Sequence, residues 1–268
     1  MTMGFGRYLG LYLGFLGQVL KSRAADPADF WVEVLSIFLY QGLGLAFISV
    51  IFAHVPELAG WSLAEILLIF GVFQMVTSLF YLFFPWTLWF SRHYLLRRAL
   101  DVILVRPFPP LLQVMAEGTG QGLSELTGVV LGMGIVVYAF RVLDRQLSVA
   151  GVGLLLLGVA CGTLILGGLF TLLAMLGFWA KASSSAATPL MEILEFGQYP
   201  LTIYSPWLRW VFTFLLPLGF VAFVPAGVAL GQASGTWLIA SVLWAAGLWA
   251  LALFLWRRGL RRYESAGS

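Results

Sequence analysis

From Phe30 to Trp256 the chain is a succession of apolar runs, most of them 20 residues or longer, with its charges collected in the gaps between them. In a bilayer every backbone N–H and C=O has to be paired inside the protein, so runs of this kind can only become helices. About 20 such residues cross the hydrocarbon. Only 10% of the residues are charged and 61% are hydrophobic, against roughly 25% charged in a soluble domain. The surface must therefore face lipid or other apolar helices, and no part of the chain is left over for a soluble catalytic domain. The expected fold is an all-α integral membrane protein.

The boundaries follow from local signals. Asp26, Pro27 and Asp29 open a first span over 30–53, with Asp26 as N-cap and Pro27 at the first helical position. Ser62 and Glu65 match a capping box that opens the second, 63–90, in which Pro85 predicts a kink and Trp86 and Trp89 an interfacial anchor. The remaining spans are expected at 111–140, 148–180, 206–224 and 235–256, the third ending at the polar Arg141, Asp144 and Arg145. Gly158 and Gly162 offer a small-residue packing face, and Pro217 breaks the fifth span. Residues 181–205 suggest an interfacial elbow. The glycine-interrupted segment 1–25 suggests an interfacial helix rather than a cleaved leader, since Arg7 is its one early charge.

This six-span arrangement, with both termini cytoplasmic, places Arg7, Lys21, Arg23, Arg92, Arg97, Arg98, Arg106, Lys181, Arg209 and the four arginines after Trp256 on the cytoplasmic side. That is thirteen of the fifteen basic residues, as the positive-inside rule requires. The net charge of +3 thus reflects membrane orientation, and nucleic acid is not an expected partner. Cys161, the only cysteine, excludes an internal disulfide. No phosphate-binding loop, H-E-x-x-H or G-x-S-x-G motif is present, and His54 and His93 fall on opposite membrane faces. No metal site, cofactor or catalytic residue is expected in this chain.

Two stretches carry functional expectation. Gln113, Glu117, Gln121 and Glu125 recur every four residues and would share one helical face, lining a subunit interface or a solute path, or forming a structural polar seam with Glu117 paired to a cytoplasmic arginine. Residues 92–106 form a cytoplasmic segment in which Leu95, Leu96, Leu100 and Ile103 alternate with Arg97, Arg98 and Asp101 at helical spacing. Pro107, Pro109 and Pro110 stop that helix with a stiff joint.

The run Leu100, Asp101, Leu104, Arg106, Pro107, Pro110, Leu111 resembles the loop signature L-D-x-x-L-x-R-P-x-x-P-L of permease subunits in bacterial type-2 ABC exporters, in their six-span branch. Tyr199-Pro200, Ile203-Tyr204, Trp207-Leu208-Arg209, Pro217 and Pro225-Ala226 are similar to a later signature of the same branch. The resemblance implies a single permease domain over 1–268 without its own nucleotide-binding domain. Its implied partners are two copies of a separate ABC ATPase, which would bind ATP and Mg, and a second permease half, the same or a related chain. The implied setting is the bacterial inner membrane. It further implies that Arg92, Arg97, Arg98, Leu100, Asp101, Leu104, Arg106, Pro107 and Pro110 form the ATPase-coupling segment, with the N-terminal helix beside it. An apolar cavity wall would suit an amphiphilic or lipid-like solute. The alternative from a different class is a proton-coupled secondary transporter relaying through Glu117 and Glu125, for which internal repeats would be expected.

Overall fold

A computed structural model describes residues 27–106, 108–146, 148–180 and 187–263, with isolated positions at 10, 14, 17 and 21. The interfacial helix expected over 1–25, the Asp26 cap, Lys181 and Pro107 accordingly lie outside the described residues. The chain is all-α, with no strand among the described residues. Its helices are α1 (Pro27–His54), α2 (Leu63–Phe83), α3 (Trp86–Phe90, extended by a π turn over Ser91–Leu96), α4 (Ala99–Leu104), α5 (Pro110–Gln121) and α6 (Glu125–Val142). They are followed by α7 (Val149–Leu176), α8 (Ala187–Leu194), α9 (Pro206–Trp210, extended by a π turn over Val211–Leu215), α10 (Phe223–Ala229) and α11 (Thr236–Arg262). Helices α1, α2, α6, α7 and α11 are each long and apolar enough to cross a membrane.

Helix α2 is the central post. Ser62 caps it through the Glu65 amide while the Glu65 carboxylate accepts from the Ser62 amide at 2.9 Å. From Ala64 to Leu82 nearly all its residues are buried. Antiparallel α6 lies against it at backbone distance: a Cβ on Gly71 would stand 2.9 Å from the Gly132 carbonyl oxygen, and one on Gly132 would stand 2.8 Å from that of Gly71. Without a hydrophobic drive between helices in lipid, such small-residue contacts are what let dispersion hold a pair together. The first helix is attached far more lightly. Its buried residues are Val34, Gln41 and Ile48, seven apart, a single seam.

The structure redraws five segments expected from the sequence. The span expected over 63–90 ends at Phe83 and restarts beyond Pro85 as α3. The segment expected as one helix from 92 to 105 is broken at Arg98, whose φ of 61° is left-handed, between the π turn and α4. The span expected over 111–140 is divided at Gly122–Ser124, because Gly118, Gly120 and Gly122 weaken the end of α5.

The largest change concerns residues 181–224. In place of an interfacial elbow, Ala187–Ile203 runs the length of α2 through α8 and two 3₁₀ turns. The Tyr81 hydroxyl near one end of α2 donates to the Met191 sulfur at 3.8 Å, Gly197 abuts Phe73 midway, and Trp61 at the other end donates to Thr202 Oγ1 at 2.7 Å. This segment is the fifth crossing. The segment expected as the fifth span, 206–224, is instead the first part of a re-entrant hairpin bent by 75° between Leu215 and Leu218. Its first arm starts where Arg209 donates to the carbonyl oxygens of Leu201 and Thr202. Its second arm returns past Gly162 and Gly158 to Leu230, whose carbonyl accepts from Arg145. Gln232 closes it on Glu65 at 2.6 Å. Both ends thus sit on the face that carries the α1–α2 and α6–α7 loops. The irregular backbone is tolerated at this depth because protein encloses it, with Leu218, Gly219, Phe220 and Val221 buried. Arg209 moves with it to that face beside Arg141 and Arg145, while among the described residues Arg92, Arg97, Arg98, Arg106 and the four arginines after Trp256 lie at the other. The six crossings remain, with an asymmetry that still satisfies the positive-inside rule.

Candidate coupling segment and intramembrane pocket

Residues 91–106 fold as a compact block on the ends of the long helices. Tyr94, Leu100 and Ile103 turn inward and join Trp86, Phe90, Val114, Ala174, Met175 and Trp256 in a hydrophobic cluster separate from the main core. The block is therefore seated on the ends of α7 and α11. Left outside are Arg92, Arg97, Arg98 and Arg106, together with Leu96, Val102, Leu104 and Val105, the last 82% exposed. A surface of cations interleaved with aliphatic side chains, backed by a rigid core, is suited to a protein partner.

Hydrogen bonds lock the joint that follows. The fully buried Gln113 Nε2 donates to the carbonyl oxygens of Ile103, at 3.2 Å, and Phe108, at 2.7 Å, tying the end of α4 to the turn that precedes α5. Four residues on, Glu117 accepts from the Tyr94 hydroxyl at 2.8 Å and pairs with Arg106 at 3.6 Å. Burial, and then the Glu117 charge, push the Tyr94 hydroxyl well above its ordinary range. Arg106 and Glu117 are 41% and 33% exposed, so their ion pair is worth less than about 1 kcal/mol and the tyrosine contact fixes the carboxylate. Asp101 acts on Tyr263, just beyond α11; the Tyr263 hydroxyl is pushed up to about 12, first by burial and then by the Asp101 carboxylate. Pro110 takes the first position of α5, where its missing N–H costs nothing.

The four-residue polar series does not form one face. The break at Gly122–Ser124 separates Gln113 and Glu117, which serve the joint, from Glu125, which faces a pocket between α1, α2, α6 and α8. Gln121 closes α5, and its side chain lies outside the described residues. The break also lets the Ser124 hydroxyl donate to Glu33 of α1 at 2.7 Å.

The pocket has a volume of about 490 Å³ and lies alongside the Phe73–Tyr81 half of α2, toward the coupling block. Ser78 donates to Glu125 and Tyr40 donates to Glu195, which also accepts from Gln198 at 3.2 Å. Tyr81 stands within electrostatic reach of both carboxylates. Gln41, Gln74 and Thr77 add amide and hydroxyl groups, while Ile37, Phe73 and Leu194 supply apolar wall. Of these residues only Glu125 belonged to the sequence-derived face. Glu195 sat in the expected elbow, and Tyr40 and Gln41 were absorbed into the first apolar run. The one available signal was a glutamine in the middle of a span, since an amide in hydrocarbon needs a protein partner. His54 and His93 stand at opposite ends of the molecule, in α1 and in the π turn after α3.

Comparison with curated proteins found no match. The family described as ABC-2 family transporter protein matches residues 38–267, which take in the coupling block, the fifth crossing, the re-entrant hairpin and all of the pocket but Ser36 and Ile37. The chain belongs to the ABC-2 transporter family and is the membrane component of an ABC transporter.

Proposed function

We propose that the chain is one permease half of an ATP-driven exporter in a bacterial inner membrane, pairing with a second, identical or related half and with two copies of a separate ATPase that bind ATP and Mg. The observation that carries this reading is the coupling block. Its arginines and aliphatic residues face outward over a core shared with the ends of α7 and α11, so a force applied to the block reaches two spans directly and a third through the Gln113 clamp. Nothing in that geometry suits a proton relay, because Glu117 and Glu125 serve different regions.

Exchanging Arg92, Arg97 and Arg98 together for Glu should abolish co-purification of the ATPase and solute-stimulated ATP hydrolysis while the permease still reaches the membrane. These side chains are exposed, so the fold does not depend on them. Undiminished ATPase association in the triple variant would overturn the reading. The apolar walls of the pocket suit an amphiphilic solute, whose head group is the subject of the next section.

A further inference from the structure

The pocket of Tyr40, Gln41, Ser78, Glu125 and Glu195 is built for a charge that the described residues do not supply. Glu125 and Glu195 both line it, beside the exposed Glu192, and among the described residues no lysine, arginine or histidine does. Their partners among the described residues are hydroxyl and amide donors from Ser78, Tyr40 and Gln198. Carboxylates at membrane depth face protein or water and need a compensating partner.

A second, independent feature specifies what that partner must offer. Gln41 is 3% exposed, and its Nε2 donates to the Gly128 carbonyl at 3.3 Å. A carbonyl accepts only from a donor, so this contact fixes the amide orientation and leaves Oε1 as the free acceptor. Gln41 Oε1 is buried and receives no hydrogen bond among the described residues. A buried acceptor of this kind calls for an N–H or O–H group that arrives with a ligand. Around the polar groups, Tyr40, Phe73 and Tyr81 present aromatic rings and Ile37 and Leu194 present aliphatic surface. Rings favour a cation as well as an apolar body.

We propose that this pocket binds a protonated amine carrying a compact apolar body, the ammonium shared between Glu125, Glu195 and Gln41 Oε1 and the body lying against Ile37, Phe73 and Leu194. A volume of about 490 Å³ falls within the range of small-molecule sites. The requirement for an N–H donor separates amines from quaternary ammonium ions, which carry the charge without a hydrogen to give. As a site for the exported solute this inference rests on the permease reading above; as a binding site it stands independently of it.

The test uses three probes with one body: 1-adamantylammonium, its N,N,N-trimethyl derivative and 1-adamantanecarboxylate. Each is titrated against the full chain in zwitterionic lipid nanodiscs, with empty nanodiscs subtracted. The primary ammonium should bind saturably, the trimethyl form about tenfold more weakly, and the carboxylate not at all. Glu125→Gln combined with Glu195→Gln should weaken ammonium binding by about tenfold or more, and Gln41→Leu should erase the difference between the primary and trimethyl probes. Equal binding of ammonium and carboxylate, no saturable ammonium binding, or full affinity in the double variant would overturn the proposal. Should the double variant fail to assemble, the three probes on the unaltered chain still decide. Ammonium binding without any associated ATPase would defeat the permease reading and leave this site intact. ATP-driven transport with no ammonium binding would do the reverse.

Discussion

The coupling block and the pocket are both polar regions set against apolar helices, and they handle charge in opposite ways. In the block each acid is matched: Glu117 meets Arg106 and Tyr94, and Asp101 meets Tyr263. Its free arginines point to water. In the pocket Glu125 and Glu195 have hydroxyl and amide donors but no cation among the described lining residues. A matched set of charges makes a joint that transmits force, since each carboxylate has a partner that holds it in place. An unmatched set makes a receptor, because the missing charge arrives from outside. The seven residues between Glu117 and Glu125 separate the two regimes, and the glycine-weakened break at Gly122–Ser124 is what makes the separation possible.

Substitutions that strike one region and spare the other put this contrast at risk. The largest effect is expected for Trp256→Ala, which empties the centre of the cluster beneath the coupling block. It should cost about 3 kcal/mol or more, seen as a lowered thermal midpoint and weakened ATPase association with amine binding unchanged. Loss of amine binding as well would show that the two regions are one unit. Gln113→Leu comes next: the carbonyl oxygens of Ile103 and Phe108 lose their buried donor, at about 2 kcal/mol. ATPase association should persist while transport per ATP falls, and an unaltered coupling ratio would remove Gln113 from the joint. Tyr40→Phe deletes a donor to Glu195 and should shift stability by about 1 kcal/mol in a denaturation series, with coupling untouched. The smallest effect belongs to Glu117→Gln, which keeps an acceptor for Tyr94 and loses the half-exposed ion pair with Arg106. Under about 1 kcal/mol is expected, together with insensitivity to added salt.

The regular spans were legible because each rests on a local rule. The Ser62–Glu65 capping box, Pro27 at a helix start and the length of each apolar run need no tertiary information. What escaped the sequence depends on neighbours. Pro206–Val224 has the length and hydropathy of a crossing, and only the contacts of Arg209, Val221 and Leu230 with other segments show that it turns back. Ala187–Ile203 looks too polar and proline-flanked to cross, yet it does so sheltered by α2. Burial by protein, rather than by lipid, removes the hydropathy signal. The four-residue series from Gln113 to Glu125 misled for a related reason: a periodic pattern assumes an unbroken helix, and the break falls within it. Gln41 was passed over because one amide hardly changes the hydropathy of a 28-residue helix, although its burial alone marks it out.

The single seam of α1 sets a timescale. Three buried side chains at seven-residue intervals, Val34, Gln41 and Ile48, and the hydrogen bonds of Glu33, Tyr40 and Gln41 hold this helix to the bundle, and apolar contact with protein in place of lipid gains little in a bilayer. Helices α2 and α6 touch backbone to backbone and move as one body. Since α1 supplies Ser36, Ile37, Tyr40 and Gln41 to the pocket, the residence time of an occupant is governed by how often this one wall parts from α2 and α6.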